Sequence, residues 1–260
     1  MGNPTIKSLF KALLSCGLLW LCWAHFSYAS LPDTIDKVRP SIVGVGTYSR
    51  LSDQHSRYLG TGFIIQDGRY VVTNAHVIPE LLNKEIKERL VVYIGRGSHP
   101  QMRNAVVIAI DPIYDIAILK IPGPALPALT LSAHNVREGE DIAFTGYPIG
   151  AVLGLYPVTH HGILSCITPV VVPARTTKEL TVKQIKQLRN PYMVYQLDAT
   201  AYPGNSGSPV YLPETGEVIA IVNKVLVKAT KEAALTNPSA ITYAIPIQHL
   251  KNLLSEVRNK

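Results

Sequence analysis

The chain has 260 residues, a formal charge of +7 and three cysteines. Apolar residues make up 47% and charged residues 17%, which excludes a disordered chain; the length allows one or two domains with a sizeable core. There is a single long apolar run, at the very start, so a polytopic membrane protein is excluded too.

Residues 1–29 read as an export signal. Lys7 and Lys11 form a basic start, residues 12–26 are apolar, and Ser27-Tyr28-Ala29 is a small-x-small cleavage site ahead of Ser30. The alternative is an uncleaved membrane anchor, because the apolar run is nearly long enough to span a bilayer. Cys16 and Cys22 fall inside this segment. The mature chain would keep Cys166 alone, form no internal disulfide and carry a charge of +5. Part of that mild excess lies in 178–189, KELTVKQIKQLR, which reads as a basic amphipathic helix. No aromatic residue is interleaved there, so a solvated face is expected and no nucleic-acid partner.

Strand-length apolar runs follow the signal. The first is 42–48. Residues 62–66 and 69–73, joined by Asp67-Gly68, carry a hairpin signal, since Asp-Gly suits the positive-φ positions of a tight turn. A helix is expected over 78–89, then strands at 90–94, 105–110 and 116–121. The Pro-rich stretch 122–127 cannot donate to a sheet and reads as a connection. Further strands are expected at 141–146, 158–166, 193–198, 208–212, 217–226 and 241–245. Leu250, Leu253, Leu254 and Val257 mark a closing helix over 247–257. Two strand-rich halves and a linker predict an all-β chain of two packed antiparallel barrels or sandwiches.

Three segments carry candidate chemistry. His76 follows a strand in Val71-Val72-Thr73-Asn74-Ala75-His76-Val77. Asp111 and Asp115 precede the apolar strand Ile116-Ala117-Ile118-Leu119, where a buried carboxylate needs a donor. Ser206 lies in Pro203-Gly204-Asn205-Ser206-Gly207-Ser208-Pro209-Val210. Its flanking glycines let the backbone turn tightly and aim N–H groups at a developing oxyanion. The histidine or the aspartate alone is ordinary, and so is Gly-Asn-Ser-Gly; the full serine block between two strands is a stronger signal. In the order His, Asp, Ser, with separations of 39 and 91 residues, they match the chymotrypsin-like arrangement and neither the subtilisin nor the α/β-hydrolase one. His160-His161 has no ligand partner at metal spacing, and adjacent strand residues face opposite ways, so no metal is expected.

On these residues the chain resembles the trypsin-like serine proteases, and among them the bacterial HtrA (Deg) group. The resemblance runs from about residue 31 to 254. It includes Gly60-Thr61-Gly62-Phe63, Asp115-Ile116-Ala117-Ile118-Leu119-Lys120, Gly146-Tyr147-Pro148-Ile149-Gly150, Gly162-Ile163-Leu164-Ser165, Asp198-Ala199, Gly216-Glu217-Val218-Ile219-Ala220-Ile221 and Tyr243-Ala244-Ile245-Pro246.

The resemblance implies two antiparallel β-barrels with a C-terminal helix. The N-terminal barrel would span about 38–121, the linker about 122–132, the C-terminal barrel about 133–246 and the helix about 247–257, all within one protease domain over 30–260. It implies catalytic His76, Asp115 and Ser206, with Asp111 the competing carboxylate and Asp198 structural. It implies an oxyanion hole over Gly204, Asn205 and Ser206, and substrate contacts at Thr200, Asn223, Lys224 and Val225. No cofactor is implied.

Asn205 stands where digestive relatives carry an aspartate, so activation by a new N-terminus pairing there is not expected; loop 168–193 would order the site instead. The serine block also resembles glutamyl endopeptidases, but 211–228 contain no histidine to receive an acidic side chain. Thr200 is uncharged, so a small or medium aliphatic side chain before the cut is expected. The implied protein is an exported serine endopeptidase acting on unfolded or misfolded envelope proteins, periplasmic or secreted, or a membrane-tethered regulatory protease if 1–29 persists. The alternative is a chaperone-like peptide binder with little hydrolysis. A homotrimer is implied by family analogy, and the usual PDZ domain is not expected.

Overall fold

The computed structural model describes residues 30–259 except 54, 98–99, 149–153, 171–190 and 226–240. The expected signal over 1–29 and the basic helix over 178–189 lie outside the described residues. Among the described residues no helix is long and apolar enough to cross a membrane.

A short helix α1 (Leu31–Val38) opens the structure. Sequence reading gave it no element, yet its start signal was present. Ser30 precedes it, Pro32 stands in its first turn, and Asp33 Oδ2 accepts both the Ser30 N–H (3.3 Å) and the Ser30 hydroxyl (2.6 Å).

The first half then folds into one antiparallel sheet. Its strands are β1 (Ile42–Tyr48), β2 (Ser56–Ile65), β3 (Tyr70–Thr73), β4 (Arg89–Ile94), β5 (Gln101–Asn104), β6 (Val106–Asp111) and β7 (Ile116–Lys120). They run in the order β5-β4-β1-β2-β3-β7-β6. The two end strands are consecutive in the chain. Only Ala105 separates them, and its N–H donates to the Leu90 carbonyl at 3.0 Å, so one bent segment joins both edges of the sheet. The expected single strand at 105–110 is therefore the second arm of a longer bent one.

The hairpin between β2 and β3 is present but wider than the Asp-Gly signal suggested. Ile65 pairs with Tyr70, leaving four residues in the loop. Gln66 (φ 56°) and Gly68 (φ 81°) supply the left-handed positions.

The helix expected over 78–89 does not form; those residues are turns and bends up to β4. The physical reason is that only Ile78 packs on a core, while the rest of the stripe lacks one: Leu81 is 88% exposed and Leu82 37%. Polar side chains hold the segment instead. Asn83 Oδ1 accepts the Glu85 N–H (3.0 Å), and Glu88 accepts the Asn83 N–H (3.0 Å) and the Thr47 hydroxyl (2.6 Å).

The second half closes into a six-stranded barrel. Its strands are β8 (Asp141–Gly146), β9 (Val158–Pro169), β10 (Met193–Asp198), β11 (Pro209–Tyr211), β12 (Val218–Val225) and β13 (Ile241–Pro246), in the order β10-β13-β12-β11-β8-β9. The expected all-β architecture of two packed antiparallel units, with a closing helix α2 (Ile247–Arg258), is the observed one.

The connection between the halves is bonded to both. The Leu126 and Leu129 N–H groups donate to Gly68 and Ile64 carbonyls of the first half, and the Ser132 N–H donates to Val218 of the second. Helix α2 buries Ile247, Leu250 and Leu253 and packs on β6 as well as on β12 and β13, so the end of the chain ties the second barrel to the first. One buried cluster contains Phe63 and Ile118 from the first half with Tyr211, Ile221 and Leu250 from the second. Burying a side chain of this size contributes roughly 1.5–3 kcal/mol, so docking of the two halves is a major part of the stability.

Candidate active site

The site lies where the two halves meet. The first half supplies His76 and Asp115. Strand β3 ends at Thr73, and a single 3₁₀ turn (Ala75–Val77) lifts His76 out of the sheet. Asp115 precedes β7, whose residues Ile116 to Leu119 are all buried. Asp115 itself has φ 56°, a left-handed conformation that is costly outside glycine and persists only where the surroundings enforce it. Here its carbonyl accepts the Ala75 N–H (3.1 Å) and the Asn74 amide (3.0 Å).

Its carboxylate then holds the histidine twice. Oδ1 accepts the His76 backbone N–H at 2.9 Å, and Oδ2 lies 2.6 Å from Nδ1. With the carboxylate ionised, Nδ1 carries the proton and donates it, leaving Nε2 as an acceptor. The Asp115 side chain is 11% exposed and the His76 side chain 40%, so the carboxylate is sheltered while the ring is open to the cleft.

Asp111, the competing carboxylate, does a different job. Its Oδ1 accepts the N–H groups of Ile113 (2.8 Å) and Tyr114 (3.1 Å), shaping the loop that delivers Asp115. Asp198 is exposed at the end of β10, with its carbonyl against Gly162.

Support behind Asp115 comes from residues that sequence reading did not single out. The Tyr114 ring stacks on His249 of α2 with centroids 3.8 Å apart, and Tyr192 packs edge-on against both. Burial pushes the His249 pKa down. It pushes the Tyr192 phenol up to about 12, and the negative charge of Asp115 adds to that rise.

The second half supplies Ser206, in the loop between β10 and β11. The loop is two successive turns. Asn205 N–H closes onto the Tyr202 carbonyl (3.0 Å) with Gly204 at φ 100°, and Ser208 N–H closes onto the Asn205 carbonyl (3.0 Å) with Gly207 at φ 87°. Positive φ at the third residue of each is the type II form, and Pro203-Gly204 is its preferred central pair. The remaining peptide groups are also engaged: Gly207 N–H donates to the Val222 carbonyl (2.9 Å), and the Ser206 carbonyl accepts the Thr61 N–H (2.9 Å). Among the described residues, the Gly204 and Ser206 N–H groups have no protein acceptor. Asn205, expected in the same oxyanion block, lies between them and donates its own N–H to the Tyr202 carbonyl.

The two halves converge at Gly60. A Cβ there would lie 2.8 Å from Val77, next to His76, and 3.0 Å from the Ser206 carbonyl oxygen, which is why this position tolerates no side chain. The Ser206 hydroxyl does not point at His76. It donates to the Asn223 carbonyl at 3.1 Å. Asn223 is the extra residue of a bulge in β12, where the register with β13 shifts between Val222 and Lys224.

Thr200 is partly buried six residues before Ser206, while Lys224 and Val225 continue β12 opposite Tyr243 and Thr242. The Asn205 side chain is fully buried, and neither of its amide atoms has a hydrogen-bond partner among the described residues.

His160 and His161 lie on opposite faces of β9. His160 stacks on Phe144 (4.7 Å), and His161 Nε2 is 3.7 Å from Asp141. Among the described residues no group of three or more His, Cys, Asp or Glu side chains is placed to hold a metal ion.

The trypsin-like peptidase domain family matches residues 60–221. The serine protease HTRA3 of Mus musculus is 30% identical over 265 residues, covering 100% of this chain and 51% of that protein. A probable periplasmic serine endoprotease DegP-like of Halomonas elongata is 30% identical over 208 residues, covering 79% of this chain and 36% of that protein. The chain thus spans about half or less of the length of these relatives.

Among solved structures, the active form of the Rv3671c protease from M. tuberculosis superposes with a TM-score of 0.63 at 23% identity, over 86% of this chain and 83% of that one. The serine endoprotease from Yersinia pestis gives 0.61 at 22% identity, over 88% and 66%. At these identities the structures speak for the fold. The family match covers more than half of the chain, and with it the chain belongs to the trypsin-like peptidase domain family.

Proposed function

We propose that this protein is a serine endopeptidase that hydrolyses polypeptides through His76, Asp115 and Ser206. The observation that carries the reading is the double hold of Asp115 on His76, across the cleft from a turn that leaves the Gly204 and Ser206 N–H groups open.

In this reading the substrate main chain pairs with β12 at Asn223–Val225 as an added strand. Its N–H takes over the Asn223 carbonyl that the Ser206 hydroxyl now occupies. The hydroxyl then turns to His76 Nε2. As Oγ attacks the peptide carbonyl carbon, its proton passes to Nε2, and Asp115 stabilises the imidazolium. The carbonyl oxygen becomes an oxyanion between the Gly204 and Ser206 N–H groups. His76 then protonates the departing amine nitrogen, and the C–N bond breaks. Water, deprotonated by the same histidine, splits the acyl-enzyme and restores the Ser206 hydroxyl.

Thr200 lines the side-chain pocket, which accepts a small or medium aliphatic residue. Similarity to HTRA3 and to a DegP-like protease supports unfolded polypeptides as substrates and an exported location, whether residues 1–29 are cleaved or retained as a tether.

The test is hydrolysis of casein by the mature protein and by Ser206→Ala. The reading requires activity in the first and none in the second. Equal behaviour of the two would leave a peptide binder of the same fold. N-terminal sequencing of the exported protein separates cleavage before Ser30 from retention.

A further inference from the structure

We propose that Thr61 and Tyr58 are positioning residues for the reaction: their hydroxyls, carried by the first half of the protein, hold the oxyanion turn of the second half in place. This rests on the proteolytic reading above.

The Gly204 carbonyl is the meeting point. It accepts the Thr61 hydroxyl at 2.7 Å and lies 3.1 Å from the Tyr58 hydroxyl. The two hydroxyl oxygens are 3.0 Å apart, so the single Tyr58 proton is shared between Gly204 and Thr61. Thr61 Oγ1 also accepts the Tyr147 N–H at 3.0 Å, which fixes the hydroxyl to donate toward Gly204. One residue of β2 therefore binds the loop twice, since the Thr61 N–H already holds the Ser206 carbonyl.

The consequence follows from what Gly204 is. It carries the open N–H on one side of its Cα and the braced carbonyl on the other. A glycine has no side chain whose packing could fix either torsion between them. Two hydroxyl donors on the carbonyl, and one N–H on Ser206, supply the restraint from across the cleft. Donors that are already aimed when charge develops need no reorganisation in the transition state. Burial pushes the Tyr58 phenol well above its ordinary pKa, against the smaller opposing effect of the Thr61 hydrogen bond, so it stays a neutral donor.

A local irregularity makes the pair possible. In a regular strand, residues three apart face opposite ways. In β2, Gly60 pairs with Val45 and Tyr58 pairs with Gly46, which leaves Leu59 as an extra residue. This bulge restores Tyr58 and Thr61 to one side. Opposite the bulge the backbones crowd: a Cβ on Gly46 would come within 2.2 Å of the Arg57 carbonyl oxygen.

The experiment compares wild type, Thr61→Val, Tyr58→Phe, Thr61→Ser and Ser206→Ala in the full chain. It measures kcat and KM on a peptide substrate, inhibition by a peptide boronate that forms a tetrahedral adduct, and thermal unfolding. Thr61→Val removes the hydroxyl and keeps the backbone N–H. We expect kcat to fall about 10–100-fold with KM within threefold, short of the 10²–10³ expected for losing an oxyanion donor itself. Boronate affinity should fall with kcat, and Thr61→Ser should restore both.

Tyr58→Phe carries the same test if Thr61→Val does not fold. Folded variants with wild-type kcat, or with a loss in KM alone, overturn the inference while the proteolytic reading stands. Wild type no more active than Ser206→Ala overturns both.

Discussion

Asp115 grips His76 at two points, the backbone N–H at 2.9 Å and Nδ1 at 2.6 Å, so one carboxylate sets both the position of the residue and the tautomer of its ring. Asp115→Asn keeps the size and can keep the backbone contact. Its amide, however, presents a donor to Nδ1 and favours the wrong tautomer. We expect kcat to fall by about 10³–10⁴ with little change in KM. A steady-state comparison at neutral pH checks this; a loss under tenfold would show that Asp115 does not orient the base.

Gly207 faces two prohibitions at once. Its φ is 87°, and a Cβ would sit 2.1 Å from the Thr61 carbonyl oxygen and 2.5 Å from Thr73 Oγ1. Gly207→Ala must push the Ser206 loop away from β2. The expected result is loss of nearly all activity together with a lower Tm, and a variant with wild-type kcat would contradict the close approach.

Glu88 gives the fold an acid-sensitive point. Hydrogen bonds from the Asn83 backbone and the Thr47 hydroxyl, with the nearby Arg57 charge, hold its carboxyl below the ordinary value. A lowered carboxyl pKa contributes stability above about pH 4.5, and that contribution is lost as pH falls through the folded value. Glu88→Gln should therefore be less stable than wild type at neutral pH, with the gap in Tm closing on acidification below about 4.5. A gap that stays constant with pH would refute the linkage.

His249 acts in the opposite sense. Burial between Tyr114 and Tyr192 lowers its pKa, with Asp111 opposing the shift. As pH falls below the ordinary histidine value of about 6.5, the unfolded chain takes up a proton that the folded one resists, and stability drops. His249→Phe keeps a ring against Tyr114 and removes the proton site. Its Tm should fall less than that of wild type between pH 7 and 5; parallel curves would show that His249 does not titrate on unfolding.

Much of this architecture was legible because its signals are local. The runs at 42–48, 141–146 and 193–198 match β1, β8 and β10, and the apolar stripe of Leu250 and Leu253 lies in α2 as expected. The contact between His76 and Asp115 was legible from their order and from family resemblance, not from either residue alone. What stayed hidden depends on partners distant in sequence. The stripe at 78–89 has helical spacing, but its Leu81 and Leu82 have no core to face. The bulge at Leu59 leaves no mark in a one-dimensional pattern, so the shared target of Tyr58 and Thr61 could not be seen. The Ser206 hydroxyl rests on Asn223, 17 residues away, because another bulge turns that carbonyl inward.

The division of the site between two halves has a mechanical meaning. In the proposed mechanism the base and its carboxylate ride on one sheet, and the nucleophile on the other. Joining them are a buried cluster, a bonded linker, the Thr61 contacts and α2. Chemical competence then belongs to the docked arrangement rather than to either half. Parting the halves by a few ångströms would separate these groups and open the shared cluster at once. The midpoint of inactivation on heating is therefore expected to coincide with the loss of β structure.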